Sequence, residues 1–229
     1  MVFVVVGLVA LLFAIPAQAD LIYSTGTDAN FDGIDDRFTV TGGLASGGSA
    51  YLVDGPPFAS GWPNPPTVGT YISWDVDQSN DTRGEDKAAL YTYAFDFNWA
   101  GSGSQTTFDF SYLSDDYLID IKLNGVTLGV NNLSTPSPWT TSYSENDVLG
   151  TVQSGVNTIE FLVWNSGNYR GGAPGNYSYD PNYTGKSGPT GMAAEFTVHG
   201  NATVPEPATM LLVGSGLLGL AAFRRKFKK

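Results

Sequence analysis

The sequence predicts an all-β protein, an antiparallel β-sandwich of jelly-roll type, with an apolar signal helix at the N-terminus and a single transmembrane helix at the C-terminus. Three observations carry the sandwich. Residues 20–203 hold no stretch with the 3.6-residue periodicity of an amphipathic helix. They hold instead short alternating runs, clearest in Tyr91-Thr92-Tyr93-Ala94-Phe95-Asp96-Phe97 and Phe108-Asp109-Phe110-Ser111-Tyr112. That period of two buries one face of a strand and wets the other. Lastly, Leu123-Asn124-Gly125-Val126 reads as a two-residue hairpin, because Asn-Gly readily takes the positive φ of a type I′ turn.

Taken in chain order, residues 2–15 are uncharged and apolar apart from Gly7, and Ala17-Gln18-Ala19 follows Pro16. Small side chains at 17 and 19 suit a signal peptidase, and a 14-residue run is short for a membrane span. The expected cut falls after Ala19. Candidate strands then cover 37–41, 49–53, 70–76, 89–98, 106–112, 117–123, 126–130, 158–164 and 192–199, separated by Gly, Pro, Asn, Asp and Ser. Trp74, Trp99 and Trp164 sit in or at the ends of these strands, which predicts core packing. No repeat of fixed period appears, and residues 201–203 are the expected link to the C-terminal segment. There, an apolar run over 208–223 is followed by Arg224-Arg225-Lys226-Phe227-Lys228-Lys229. Sixteen residues make about 24 Å of helix, which snorkelling basic side chains extend. The positive-inside rule puts this basic end in the cytoplasm.

Composition removes most enzyme vocabulary. The chain has no Cys and one His among 229 residues, so disulfides, thiol chemistry and multi-His metal centres are excluded. Residues 20–203 carry 21 acidic and 6 basic residues, a net charge of −15 that repels nucleic acid. Acid pairs for glycoside hydrolysis, about 5 to 10 Å apart, can be drawn from Asp115, Asp116 and Asp120 with Glu145 or Glu160. With so many acids some pair always can, and Asp115-Asp116 reads better as a turn. His199 follows Val198 at the end of the last strand, which predicts a solvent-facing position. There is no Gly-x-Ser-x-Gly elbow and no Gly-rich phosphate loop. The expectation is a protein that is not an enzyme.

Two regions suit binding. Asp28-x-Asn30-x-Asp32-Gly33 with Asp36 places oxygen donors at alternate positions around a sharp turn, which fits calcium. Position 39, where an EF-hand needs an acid, is Thr39, and the spacing is closer to thrombospondin type 3 repeats. The same residues equally make a solvated polar turn. Segment 165–191 carries Tyr169, Tyr177, Tyr179 and Tyr183 with Arg170, Asn176, Asp180 and Lys186, and segment 55–66 carries Phe58 and Trp62. Aromatic faces beside amides and acids are what sugar C–H groups and hydroxyls require. Flexible, merely soluble loops have the same composition, and Trp139 fits core or surface alike.

Val204-Pro205-Glu206-Pro207, the short apolar helix and the basic tail, in that order, resemble the PEP-CTERM sorting signal over residues 204–229. The resemblance implies export, transient tethering in the inner membrane of a Gram-negative bacterium, and processing near Pro205-Glu206 by an exosortase. It further implies a destination at the cell surface or in the exopolysaccharide matrix. Further phrases run from Asp36-Arg37-Phe38-Thr39-Val40 through Ala50-Tyr51-Leu52-Val53 and Ile121-Lys122-Leu123-Asn124-Gly125 to Gly155-Val156-Asn157-Thr158-Ile159 and Pro189-Thr190-Gly191-Met192. These are similar to exported proteins with a galactose-binding-like or carbohydrate-module-like sandwich, over residues 31–200. The division expected is a signal peptide at 1–19, a sandwich at 20–200 and a sorting segment at 201–229. The expected role is a non-catalytic surface or matrix protein, with a carbohydrate-binding module as the alternative.

Overall fold

Alternating aromatic residues dictate the architecture, because each such strand must press one greasy face against another. The computed structural model describes residues 18–43, 45–53, 68–75, 89–100, 103–133, 141–165 and 190–203. They form β1 (Gln18–Ser24), β2 (Ile34–Gly42), β3 (Ala45–Leu52), β4 (Ile72–Ser73), β5 (Ala89–Trp99), β6 (Ser104–Asp115), β7 (Tyr117–Leu123), β8 (Val126–Thr127), β9 (Tyr143–Val152), β10 (Gly155–Asn165) and β11 (Gly191–Thr203). No helix occurs among the described residues, and so none there is long and apolar enough to cross a membrane. Leu21–His199 is one compact unit. The other described residues, 18–20 and 200–203, are the outer ends of β1 and β11 and fall to a second unit with the termini.

Hydrogen bonding follows the order β8-β7-β10-β5-β2-β3-β4-β11-β6-β9, with β1 also on β11. The pairs with a defined register are antiparallel throughout. This ribbon is folded over on itself. Phe95 of β5 and Phe196 of β11 lie four strands apart along it, yet their rings meet edge-on at 5.5 Å. Phe110 of β6 meets Phe161 of β10 in the same way at 6.2 Å. The two leaves, β8-β7-β10-β5-β2-β3 and β4-β11-β6-β9, are therefore joined along one side through β3 and β4. On the other side the seam is packed rather than hydrogen-bonded along this path. There a Cβ on Gly150 of β9 would come within 2.7 Å of Phe108 and 2.9 Å of Leu123, so glycine lets β9 lie against β7.

The largest core side chains are aromatic: Phe38, Tyr91, Tyr93, Phe95, Phe97, Trp99 and Phe161 from one leaf, Phe108, Phe110, Tyr112 and Phe196 from the other. Each buried side chain of this size contributes about 1.5–3 kcal/mol, and edge-on rings add about 0.5–1.5 kcal/mol. Burial holds the Tyr112 phenol well above its usual ionisation range, with the charges of Glu145 and Tyr143 adding to it. The predicted hairpin is present. Asn124 and Gly125 take φ of 52° and 78°, and Asn124 exchanges two bonds with Thr158, donating its N–H at 2.8 Å and accepting at Oδ1 at 2.9 Å.

Several expectations change. Two strands were not foreseen in the sequence. β1 begins at Gln18 and includes Ala19. β9 has an acidic, Gly-containing sequence and a bulge at Asp147 (φ 57°) that shifts its register between Phe108 and Phe110. The expected strands 70–76 and 126–130 shrink to Ile72–Ser73 and Val126–Thr127. Others lengthen: β2 and β10 gain residues at both ends, and β3 starts four residues earlier than expected. The expected link at 201–203 is part of β11. Both apolar helices lie outside the described residues.

Candidate functional site

Polar side chains buried at one end of the sandwich mark the place where function is best sought. Ser73, Ser114, Asp115, Asn132, Asn165 and Thr190 are all buried. Ser73 Oγ donates to the Thr190 carbonyl at 2.7 Å, and Thr190 Oγ1 donates to the Asp115 carbonyl at 3.2 Å. Asn132 donates through Nδ2 to Ser114 Oγ at 3.0 Å and accepts from the Leu118 N–H at 2.7 Å. The Asp116 N–H donates to the Trp164 carbonyl at 3.1 Å. Asp115 and Asp116 form the expected turn between β6 and β7, across a cis peptide bond. Burial holds the Tyr71 phenol far above its ordinary range, and the Asp115 charge pushes the same way.

This polar floor is where the two aromatic segments are rooted. Segment 166–189 leaves from Asn165, which pairs with Ala89, and returns at Thr190, beside the Gly191–Asp115 pair. Segment 54–67 leaves from Val53, whose N–H donates to the Tyr71 carbonyl at 2.9 Å, and returns at Val68. Val53 and Val68 pack with Tyr71, Leu113 and Ala193 in one small apolar cluster. Ala193 is three residues from Thr190, so the two roots are neighbours. The predicted contact residues Trp62, Tyr169, Tyr177, Tyr179 and Tyr183 lie outside the described residues, as do Trp139, Ala17 and the Val204, Pro205, Glu206 and Pro207 motif. Ala19 falls within β1. Trp99 and Trp164 are buried and Trp74 packs against the core, as expected.

In the acidic loop between β1 and β2, oxygens that could hold a cation are turned onto backbone N–H groups. Asp28 accepts from Asp32 and Gly33 at 3.2 and 3.0 Å, Asp32 accepts from Ile34 at 2.9 Å, and Asp36 accepts from Ala29 at 2.7 Å. Asn30 points its amide N–H at Asp32 Oδ2 at 3.0 Å. Among the described residues no three His, Cys, Asp or Glu side chains form a metal-holding group. The residue that organises this region is Asp35, absent from the predicted ligand set. Its carboxylate, 1% exposed, accepts four N–H bonds: Gly26 at 2.6 Å and Thr27 at 3.2 Å on Oδ2, Arg37 and Phe38 at 2.8 Å on Oδ1. The loop also holds Phe31 at φ 62° and 91% exposed.

The drawn acid pairs are scattered. Glu145 is exposed on β9 and Asp115 is buried at the end of β6, while Asp120 and Glu160 belong to the other leaf, with Lys122 opposite Glu160. His199 lies on the outward face of β11, alternating with buried Phe196 and Val198. It is half-buried, and Nε2 lies 2.7 Å from Asp109 Oδ2.

Beyond the sandwich, residues 203–226 match the family model described as the PEP-CTERM protein-sorting motif. The chain carries a PEP-CTERM sorting motif. This motif implies export, an interaction with exosortase and a membrane-anchored sorting segment at the C-terminus. No curated protein sequence matches the chain. Among solved structures, the sandwich is similar to a family 35 carbohydrate binding module from Clostridium thermocellum, at 14% identity over 78% of this chain and 97% of that one, TM-score 0.38. It is similar to CBM35 from Paenibacillus barcinonensis at 15% identity over 80% and 98%, TM-score 0.34. A GH26-CBM35 β-(1,4)-mannanase from Podospora anserina aligns at 14% identity over 83% of this chain, TM-score 0.37, and this chain spans 29% of that one. The sandwich assignment itself stands on the strand pairing above.

Proposed function

We propose that this is a non-catalytic, exported protein that is processed by an exosortase, reaches the cell surface or extracellular matrix, and contacts neutral polysaccharide through segments 54–67 and 166–189. The observation that carries the proposal is the shared root. Two segments far apart in sequence, one carrying Tyr169, Tyr177, Tyr179 and Tyr183 and the other Phe58 and Trp62, leave the fold beside one another over a floor of buried, hydrogen-bonded polar groups. A rigid sandwich presenting loops at one end is a common way to build a binding surface. Aromatic side chains offer large, stiff contact faces to sugar rings. The net charge of −15 on residues 20–203 favours neutral glycans over anionic ones. The test is affinity electrophoresis of the full chain in detergent through gels containing mannan, galactan or xylan. Retardation by at least one is expected, weakened about tenfold or more by Tyr177→Ala or Tyr179→Ala. Unretarded migration in all three, or retardation indifferent to both substitutions, overturns the polysaccharide reading.

Calcium binding by Asp28, Asn30, Asp32 and Asp36 is a separate proposal. Its support is the gathering of oxygens: Asp28 Oδ1 and Asn30 Oδ1 both accept from the Asp32 N–H at 3.2 Å, so oxygens from alternate residues are held on one side of the turn. Binding requires those oxygens to turn from N–H donors to the cation. A cation present at about a hundred times its dissociation constant adds about 2.7 kcal/mol, or about 5–10 °C in a domain this size. Exchanging calcium for EDTA is therefore expected to lower the melting temperature by that order, and Asp32→Ala to erase the difference. Superimposable melts with and without EDTA overturn it.

A further inference from the structure

His199 is the only histidine in the chain, and it stands at the last position of the compact unit, directly before Gly200 and four residues ahead of the sorting-motif match at 203–226. Both its side chain and its backbone are gripped. Nε2 lies 2.7 Å from Asp109 Oδ2, and the His199 carbonyl accepts a bond from Thr106 Oγ1. Asp109 is in turn fixed from the far side, where Oδ1 accepts the Asp147 N–H at 2.9 Å. The grip spans three strands: β9 holds Asp109 of β6, which holds His199 of β11.

Among the described residues, the charges on the strands that carry and flank this grip are one-sided. Of the titratable groups on β6, Asp109 and Asp115 are acids and Tyr112 is a phenol. β9 carries Glu145, Asp147 and Tyr143, β11 carries Glu195, and β1 carries Asp20 and Tyr23. None of these four strands contains Lys or Arg. A protonated His199 is thus the only side-chain cation they can supply.

We propose that His199 and Asp109 form a pH-sensitive clasp that fastens β11 at His199, the last residue of the compact unit and four residues ahead of the sorting-motif match. A protonated imidazole gives the carboxylate a charge-assisted hydrogen bond, about twice as strong as the bond a neutral ring gives. The Asp147 N–H, and then the His199 contact, hold the Asp109 carboxyl below its ordinary range. A lowered acid contributes stability that is present above its unfolded value, about 3.9, and is lost as pH falls through the folded one. A neutral imidazole keeps only the ordinary hydrogen bond, so the charge-assisted share is lost once the ring gives up its proton at higher pH. The clasp is therefore tightest in mildly acidic surroundings and loosens in mildly alkaline ones.

The test is hydrogen exchange on the full chain in detergent at pH 5.5 and 8.0, corrected for intrinsic exchange rates. The amides of β11 over 196–200 are expected to be about two- to fivefold better protected at pH 5.5, the range a half-exposed ion pair supplies. His199→Gln and Asp109→Asn should each abolish that difference. Thr106→Val should lower protection equally at both pH values, because a hydroxyl does not titrate. Amides of Tyr93 and Phe95 in β5 report global opening. A pH difference that survives His199→Gln, or one shared in proportion by the β5 amides, overturns the clasp.

Discussion

Asp35→Ala is expected to cost the fold on the order of 4 kcal/mol, and Asp35→Asn nearly as much. The carboxylate closes four backbone N–H groups in a region almost sealed from water. Alanine leaves those donors unsatisfied at about 1–3 kcal/mol each, softened by whatever water enters. Asparagine keeps one acceptor oxygen and sets its own NH2 against remaining N–H donors. Gly26 and Thr27 lie in the loop just after β1, while Arg37 and Phe38 belong to β2, so the carboxylate ties two stretches of chain together. Urea unfolding of the variant checks this: the midpoint should fall sharply at unchanged slope. A loss below about 1 kcal/mol would mean that water replaces the carboxylate without penalty, and the tie would be incidental.

Phe196→Ala should be comparably severe, about 3–5 kcal/mol. Its ring contacts Tyr23, Phe95, Phe97, Phe110 and Phe161, at centroid separations from 5.1 to 6.4 Å. These neighbours come from β1, β5, β6 and β10, so the ring sits where the leaves meet. A cavity there cannot be closed by one neighbour moving, since each is held by its own strand. Phe196→Leu, which keeps most of the volume, should lose less than half as much. Equal losses for the two variants would show that shape matters more than filled volume. Both are read from thermal or urea melts of the full chain in detergent.

How much of this was visible in the sequence depends on what each residue's partner is. β5 and β6 were legible because alternation needs only neighbours along the chain, and the Asn124-Gly125 turn because its φ preferences are intrinsic. β9 was not. It is an edge strand with few buried positions, and the positive φ at Asp147 breaks its period. β1 was not either, because its first residues, Gln18 and Ala19, continue a run that reads as a leader rather than as a strand.

The acidic loop shows the same limit more sharply. Its spacing drew attention to Asp28, Asn30, Asp32 and Asp36, while the residue on which the region depends is Asp35. Asp35 and Phe38 are both buried and stand three apart, off the period of two, because the β2–β3 register shifts between Ile34 and Thr39. Nothing local announces that. The Gly26 and Thr27 amides reach Asp35 only once β1 and β2 are in place. His199 likewise read as outward-facing, which its half-exposure partly supports. Asp109, 90 positions away, is a partner that only the β6–β11 register supplies.

The bulge at Asp147 has a bearing on crowding. Proteins released into a dense layer outside the cell meet copies of themselves at high concentration, and an unpaired strand rim invites them to stack into fibres. Along the path of described strands one rim is only Val126–Thr127 long, while β1 lies off that path on β11. The other, Tyr143–Val152, is kinked at Asp147 and bears Glu145 and Asp147 on either side of Asn146. Kinked and acidic, this second rim is a poor template for another copy of the chain.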